Sequence, residues 1–211
     1  MKPKDMGKIR KAMEKTLDSK RYEHTLGVAY TAAALAMCYG ENAKQAELAG
    51  LLHDCAKCMD NTKKISICKK HNISINEIEY KNPFLLHAKV GSFLAMKKYG
   101  VQDKDVINAI LNHTTGRPEM TMLEKIVFIA DYIEPNRKQA PNLAEIRRLA
   151  FQDLDQALLK ILEDTLQYLN TVEGEIDPMT QKTYEYYKKE REQKSDGSKG
   201  NGKAGHKGHG R

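Results

Sequence analysis

Apolar residues recur through most of the chain three or four positions apart, the spacing that lines one face of an α-helix. The strand pattern, in which apolar and polar residues alternate with β-branched enrichment, is not sustained anywhere in the sequence. We therefore expect an all-α fold, a helical bundle. The predicted helices cover residues 4–17, 21–39, 43–57, a segment from Asn61, 82–100, 103–113, 121–133, 142–169 and 178–190.

Cap residues mark where several of these helices begin. Asn61 and Asn82 are expected to cap the helices that follow them, the latter with Pro83 at the first helical position. Thr121 and Glu124 have the spacing of a capping box, in which each side chain bonds to the backbone of the other. These signals place a helix start just before the apolar run IVFIADYI.

The chain is long enough for one folded domain with an appendage. It has 211 residues, of which 40% are hydrophobic. We expect one domain over residues 1–190, followed by a tail rich in glycine, lysine and histidine over 191–211. Because the tail holds almost no apolar residues, it cannot bury enough surface to offset the entropy of ordering, and we expect it to be disordered.

The sequence also predicts a location. No apolar run reaches 18 residues, and the N-terminal stretch MKPKDMGKIRKAMEKTL lacks the apolar centre of a signal peptide. Four cysteines fit a reduced chain better than a disulfide framework. We expect a cytoplasmic protein with no membrane partner.

The net charge of +7 is mostly terminal. Residues 195–211 carry a net +3 and residues 188–194 a net +2, which leaves +2 for residues 1–187. The helical body is therefore nearly balanced and offers no basic surface for nucleic acid. Nucleic acid is expected to bind only nonspecifically, through the tail.

Candidate chemistry lies in the histidines of the helical body. His71 sits in a lysine-rich surface pattern, whereas four other histidines and two aspartates sit in apolar helical segments. Each alone has an ordinary explanation, such as a core histidine bonded to a carbonyl or a solvated aspartate. Together they are hard to satisfy separately, because buried polar groups need partners. The six residues are His24, His53, Asp54, His87, His113 and Asp131.

A shared metal site, or two, would satisfy all six at once. Imidazole and carboxylate ligands suit a divalent transition metal such as Fe, Mn, Co or Ni better than a thiolate site does. Adjacent helix positions point about 100° apart, so His53 and Asp54 can address two ions or two sides of one.

The arrangement H…HD…D resembles the ligand signature of the HD-domain superfamily of metal-dependent phosphohydrolases. The segments RYEHTLGVA, LAGLLHDCAK, HAKVG, NHTTG and KIVFIADYIEPNR are similar, in matching order, to the YqeK family of that superfamily. The similarity runs from about residue 5 to 190 and excludes the tail.

This resemblance implies a function. YqeK-family hydrolases cleave diadenosine tetraphosphate symmetrically, to two ADP, through a hydroxide that a metal centre activates. It implies that the six residues above hold two divalent ions, iron by family association, with Asp54 bridging both. It also implies a homodimer.

Further residues are candidates for catalysis or substrate binding. Lys57, three residues after Asp54, would neutralise charge on a phosphate oxygen; otherwise it is a solvated lysine at a helix end. The remaining candidates could bind phosphate through hydroxyl, backbone or guanidinium donors, and each has a turn or surface role as its alternative. They are Arg21, Thr114, Thr115, Gly116 and Arg137.

Cys55 and Cys58 have the spacing of half a zinc site, and Cys68 could add a third thiolate. A structural zinc site needs four ligands, and no second C-x-x-C is present, so we do not expect one.

Two other functions remain open from the sequence. One is a different HD nucleotide phosphohydrolase, acting on nucleoside triphosphates or cyclic nucleotides, because the ligands alone do not set the substrate. The other is an RNA-binding or regulatory module with a vestigial metal site. The intact ligand set and the balanced charge of the body weigh against the second.

Overall fold

The computed structural model of the chain describes residues 5–171 and 177–200. Over these residues it contains helices and no strands, which confirms the all-α prediction. One 3-10 helix, Pro83–Leu86, joins α5 to α6. The α-helices are α1 (Met6–Thr16), α2 (Ser19–Cys38), α3 (Ala43–Leu52), α4 (Asn61–Lys70), α5 (Glu77–Lys81), α6 (His87–Lys97), α7 (Lys104–Asn112), α8 (Met122–Ile133), α9 (Leu143–Ala150), α10 (Leu154–Thr171) and α11 (Pro178–Gly200).

Short polar side chains begin most helices by accepting hydrogen bonds from free backbone N–H groups. The Thr121–Glu124 capping box is present at the start of α8, as predicted. The prediction that Asn61 caps α4 was wrong: the carboxylate of Asp60 accepts from the N–H groups of Thr62 and Lys63, and Asn61 is the first helical residue. An ionised carboxylate at this position also interacts favourably with the helix dipole.

The single helix predicted over residues 82–100 is interrupted by the 3-10 helix, and α6 begins only at His87. Pro83 occupies the first position of the 3-10 helix. Asn82 does not cap it; its side-chain amide donates instead to the carbonyl of Ile78 in α5. The tight 3-10 turn therefore puts His87 at the start of a new helix, where it is buried.

The helix predicted over residues 43–57 also ends early, at Leu52. Beyond it the chain makes tight turns, in which Cys55 N–H donates to the carbonyl of Leu52 at 3.1 Å and Lys57 N–H to that of Asp54 at 2.8 Å. As a result, the pair His53 and Asp54 stands at a helix end and not inside a helix.

The C-terminal part of the chain differs from the prediction in two places. The helix predicted over 142–169 is two helices, α9 and α10, which residues 151–153 separate. α11 continues to Gly200, past the predicted domain boundary at residue 190. Residues 201–211 lie outside the described residues, so the disorder predicted for the tail stays a prediction. Within the described ranges, no helix combines the length and hydropathy that a membrane span requires.

α8 runs through the main core, where it packs against α2, α7 and α10. Its residues Ile126, Val127 and Ile129 are completely buried. α2 and α3 pack closely at Gly50, where an added Cβ would lie 2.8 Å from the Cα of Ala29. The glycine thus sets the distance between the helix that carries His24 and the helix that ends in the His53–Asp54 pair.

Gly50→Ala is expected to destabilise the protein. The added methyl group would overlap the backbone of Ala29, so α2 and α3 must separate, at a cost of about 1–3 kcal/mol. For a chain of this size we expect Tm, followed by circular dichroism, to fall by roughly 2–12 °C.

Gly91→Ala in α6 is the matched control. A Cβ there meets its neighbours at ordinary distances of 3.5 Å and 3.6 Å, and alanine is the better helix former, so Tm should stay constant or rise. An unchanged Tm for Gly50→Ala would show that α2 and α3 do not depend on this close approach.

Candidate metal centre

The six predicted metal ligands come from separate parts of the bundle and meet at one place. His53, Asp54, His87 and His113 are at most 3% exposed. His71, the histidine set aside from the sequence, is exposed at the end of α4. The six donors are His24 from α2, His53 and Asp54 after α3, His87 at the start of α6, His113 after α7 and Asp131 near the end of α8.

The donors divide into two adjacent positions that share one histidine. Within each of two groups, the ligand atoms lie within 4.8 Å of one another: His24–His53–Asp131 and His53–Asp54–His113. His87 adjoins the second group, since its Nε2 is 3.3 Å from Asp54 Oδ1 and 3.1 Å from His113 Nε2.

Hydrogen bonds at Nδ1 fix how the imidazoles are oriented. The Nδ1 atom of His53 lies 2.6 Å from the carbonyl oxygen of Gly50. The Nδ1 atom of His87 lies 2.8 Å from that of Phe84, and the Nδ1 atom of His113 lies 2.7 Å from that of Ile110. A carbonyl only accepts, so each of these Nδ1 atoms carries the proton. Each Nε2 therefore presents a lone pair to the centre, as in metal-ligating histidines.

Lone pairs face one another across the centre. The Nε2 atoms of His87 and His113 are 3.1 Å apart, and His24 Nε2 is 3.0 Å from Asp131 Oδ1. These contacts are repulsive unless a cation or a proton lies between the two atoms. In addition, no hydrogen-bond partner among the described residues satisfies the buried atoms His24 Nε2, His53 Nε2 and Asp54 Oδ1. Nitrogen and carboxylate donors arranged in this way fit a divalent transition metal.

The surroundings shift the pKa values of several donors. Burial alone would lower the pKa of His24, but the carboxylates of Asp131 and Glu134 outweigh it and raise that pKa. Burial alone would raise the pKa of Asp54 and Asp131, but the adjacent histidines outweigh it and hold both pKa values below their usual range. Burial, followed by the charges of His113 and Lys57, lowers the pKa of His87 to about 3. Near neutral pH the carboxylates are therefore ionised and His87 is neutral.

Three cationic side chains lie against the ligand carboxylates. Arg21 Nη1 is 2.8 Å from Asp54 Oδ2, and Arg137 Nη2 is 2.9 Å from Asp131 Oδ1. Lys57 Nζ is 3.9 Å from Asp54 Oδ1. All three are partly exposed, so they are placed to bind an anion that approaches the centre.

The loop after His113 contributes one of its three predicted residues. Thr114 Oγ1 is 3.2 Å from His113 Nε2. Thr115 Oγ1 donates instead to the carbonyl of Gly116 at 3.0 Å. Gly116 has a φ of +63°, and a Cβ there would lie 2.8 Å from Cγ2 of Thr183 in α11. Gly116 thus makes a left-handed turn beneath α11, and no contact brings it to the donors.

α11 supports this loop from the far side. The hydroxyl of Tyr187 accepts a hydrogen bond from the backbone N–H of Met120 at 2.8 Å. Arg117 pairs with Glu124 of the α8 capping box, with Nη2 2.7 Å from Oε2. The loop between His113 and α8 is therefore held by Tyr187 of α11 and by the ion pair of Arg117 with Glu124.

Two residues beside the centre were not assigned from the sequence. Glu134 is only 2% exposed, and its Oε1 lies 3.1 Å from Nδ1 of His24. The sequence signal that could have identified Glu134 is its position, directly after the apolar run of α8 and before Pro135. Arg147 of α9 donates to the carbonyls of Ile133 and Glu134, at 2.9 Å and 2.8 Å. No local pattern marks Arg147.

The cysteines stand apart from the donors. All four are free, and none belongs to either group of potential metal ligands in the described residues. Burial raises the pKa of Cys55 to about 12, which keeps its thiol protonated and unsuited to bind zinc.

Two clefts open beside the centre. The larger, of about 560 Å³, reaches His24, and its lining includes the cations Lys20, Arg21, Arg137 and Lys138. The smaller, of about 110 Å³, reaches His113 and shares Arg137 with the first. Its wall includes Phe128 and Tyr132.

Comparison with known proteins agrees with this geometry. The family model for the HD domain matches residues 21–136, a range that contains all six donors. A crystal structure described as a predicted HD superfamily hydrolase involved in NAD metabolism, from Clostridium acetobutylicum, superposes with a TM-score of 0.86. The two chains are 40% identical, and the match covers 90% of this chain and 100% of that one.

Two curated relatives are named "Bis(5'-nucleosyl)-tetraphosphatase, symmetrical". The Bacillus subtilis protein is 40% identical over 174 residues, which are 82% of this chain and 92% of the relative. The Halalkalibacterium halodurans protein is 40% identical over 178 residues, 84% of this chain and 94% of the relative. With the family model matching more than half of its length and such relatives aligned over most of it, the chain belongs to the HD domain family.

Proposed function

We propose that this chain is a metal-dependent phosphohydrolase that cleaves diadenosine tetraphosphate symmetrically into two ADP. One observation carries the proposal: buried nitrogen and carboxylate donors face one another at close range, and several of them have no hydrogen-bond partner among the described residues. The relatives named as symmetrical bis(5'-nucleosyl)-tetraphosphatases support the choice of substrate and of bond. Metal dependence is a property of the HD domain.

Two divalent ions would be held by the six donors. We propose iron, with Mn, Co and Ni as alternatives, because mixed imidazole and carboxylate sets suit these metals. When bound, such ions supply a water-derived nucleophile at neutral pH and neutralise charge on phosphoryl oxygens. The proposed ligands are His24, His53, Asp54, His87, His113 and Asp131.

Asp54 would join the two positions. Its Oδ2 lies 3.5 Å from Nε2 of His53 and 4.0 Å from that of His24. Its Oδ1 lies 3.3 Å from Nε2 of His87 and 3.6 Å from that of His113. Because its two oxygens face different histidines, one carboxylate can serve both positions. It would thereby set the separation between them.

The cations around the centre would bind the tetraphosphate. Arg21 and Arg137 pair with ligand carboxylates, and both are exposed enough to turn towards phosphate oxygens. Lys57 would donate a hydrogen bond to the leaving phosphate oxygen and so stabilise the charge that develops there. Thr114 would add a hydroxyl donor, whereas Thr115 and Gly116 have the structural roles described above.

A symmetric cut requires the middle of the tetraphosphate to lie at the donors. Water adds to one of the two central phosphorus atoms, and the bond from that phosphorus to the central bridging oxygen breaks, so each half leaves as ADP. Two clefts that both reach the donors support this arrangement. The cations of the larger cleft suit the phosphates of one half, and Phe128 and Tyr132 offer aromatic faces to the other.

The remaining features stay predictions. A homodimer rests on the family resemblance. Nonspecific binding of nucleic acid rests on the basic tail, whose last residues lie outside the described part of the chain. A cytoplasmic location is supported by four free cysteines.

The first expected outcome concerns the products. Purified protein with about two metal ions per chain, measured by elemental analysis, should convert diadenosine tetraphosphate to ADP alone, as resolved by ion-exchange chromatography. ATP and AMP in equal amounts would place the cut at another bond. If the metal-containing protein leaves this substrate intact but cleaves nucleoside triphosphates or cyclic nucleotides, it is a different HD nucleotide phosphohydrolase. RNA binding without any cleavage would support the regulatory module.

The second concerns Asp54. Asp54→Asn keeps the shape of the side chain but removes the charge shared by the two positions, so kcat should fall at least about 100-fold. Metal content should fall with it, while circular dichroism remains helical. Asp105→Asn changes the same residue type on an exposed face of α7 and should retain activity and metal. Wild-type turnover by Asp54→Asn would rule out this role.

The third concerns metal removal. Ions that bind only the folded chain stabilise it by about 4 kcal/mol at a thousand times their Kd. Chelation should therefore lower Tm by roughly 10 °C, and adding the ion back should restore it. The chelator should shift Tm much less in Asp54→Asn, which has little metal to lose. Equal Tm with and without chelator in the wild-type protein would argue against a bound ion in the fold.

A further inference from the structure

Among the proposed ligands, His24 is oriented differently from the other histidines. His53, His87 and His113 lie at helix ends, where the carbonyl three residues earlier accepts from Nδ1. His24 lies inside α2, where the preceding carbonyls are engaged in the helix. Its Nδ1 faces Oε1 of Glu134, 3.1 Å away, a residue that lies just after the end of α8.

The carboxylate of Glu134 is held from several directions. Its Oε2 accepts a hydrogen bond from the N–H of Asn136 at 2.7 Å, so both oxygens are engaged. The backbone that carries it is fixed by Arg147, which donates to the carbonyl of Glu134 at 2.8 Å and to that of Arg137 at 3.1 Å. The side chain is therefore held in place by contacts within the protein itself.

Gly27 provides the space for that carboxylate. It lies three residues after His24 in α2, on the same face of the helix. A Cβ at this position would be only 2.4 Å from Oε2 of Glu134. Since Oε2 is the end of a flexible side chain, an added methyl group would displace the carboxylate and leave the helix backbone in place. Glycine inside a helix is otherwise unfavourable by about 0.5–1 kcal/mol, which points to a role in the site.

We propose that Glu134 is a positioning residue that acts through His24, and that Gly27 is the seat for its carboxylate. Glu134 holds the proton on Nδ1 and aims the Nε2 lone pair at the position shared by His53 and Asp131. An anionic acceptor also makes His24 a stronger donor than the histidines oriented by neutral carbonyls.

The two metal positions are then unequal. The position next to Glu134 binds its ion more tightly and fills first. The position at His87 and His113 fills second, because its histidines have carbonyl acceptors and Lys57 Nζ lies 3.2 Å from His87 Nε2. This inference rests on the proposed metal centre, but it does not depend on which nucleotide is cleaved.

The test is a titration of metal-free protein with Mn²⁺, with the free ion counted by electron paramagnetic resonance. The wild-type protein should bind in two steps of different affinity. Glu134→Ala should weaken the tighter step about 10–100-fold and change the weaker step little. Glu134→Gln, which keeps an acceptor oxygen but loses the charge, should fall between the two.

A double-mutant cycle tests whether Gly27 provides the space for the Glu134 carboxylate. Gly27→Ala should reproduce the effect of Glu134→Ala, because the carboxylate is still present but is pushed away from His24. In Gly27→Ala/Glu134→Ala the second change should cause no further loss, since the clash no longer exists. Gly91→Ala, a helix glycine with ordinary contacts, should leave both steps unchanged.

The outcomes separate this inference from the proposed function. Equal affinities in the wild-type protein, an unchanged tighter step in Glu134→Ala, or additive losses in the double variant would overturn the role of Glu134. Absence of Mn²⁺ binding by the wild-type protein would overturn both proposals. The double-mutant cycle could give the expected result in a protein that does not cleave diadenosine tetraphosphate. That outcome would support the positioning role of Glu134 and exclude the proposed substrate.

Discussion

Repulsion between buried lone pairs is the constraint on which the rest of this structure depends. Imidazole nitrogens and carboxylate oxygens approach to about 3 Å at a largely buried centre, and several of these atoms have no hydrogen-bond partner in the described part of the chain. Such a cluster is unfavourable for the protein alone and becomes favourable once cations occupy it. The helices have to be packed firmly enough to hold the donors together against this repulsion.

Helix ends are the means by which the fold aims its donors. A histidine just after a helix, or at the start of one, can donate a hydrogen bond from Nδ1 to the carbonyl three residues earlier. His53, His87 and His113 all do so, and each thereby gains a fixed ring orientation. The early end of α3 and the 3-10 turn before α6 create two of these positions. Both departures from regular helix thus serve the centre.

The sequence predicts the fold class and the donor set, because both depend on local patterns. Histidines and aspartates among apolar neighbours need partners wherever they are, and the family resemblance names the same residues. The end of α3 at Leu52 could not be predicted, because the composition of the segment favours a longer helix and tertiary packing decides its length. Glu134 could not be assigned, because its partner His24 lies 110 positions away in the chain. Gly116 makes a left-handed turn under α11, and its predicted contact with phosphate stays a prediction.

The contact of α11 with the loop after His113 has a consequence for how the protein is made. The ribosome synthesises every proposed donor, from His24 to Asp131, before it reaches Thr183 and Tyr187. A nascent chain can therefore gather its donors while the neighbouring loop, which α11 later supports through Gly116 and Met120, is still unsupported. Support of this loop by α11 would then follow the gathering of the donors.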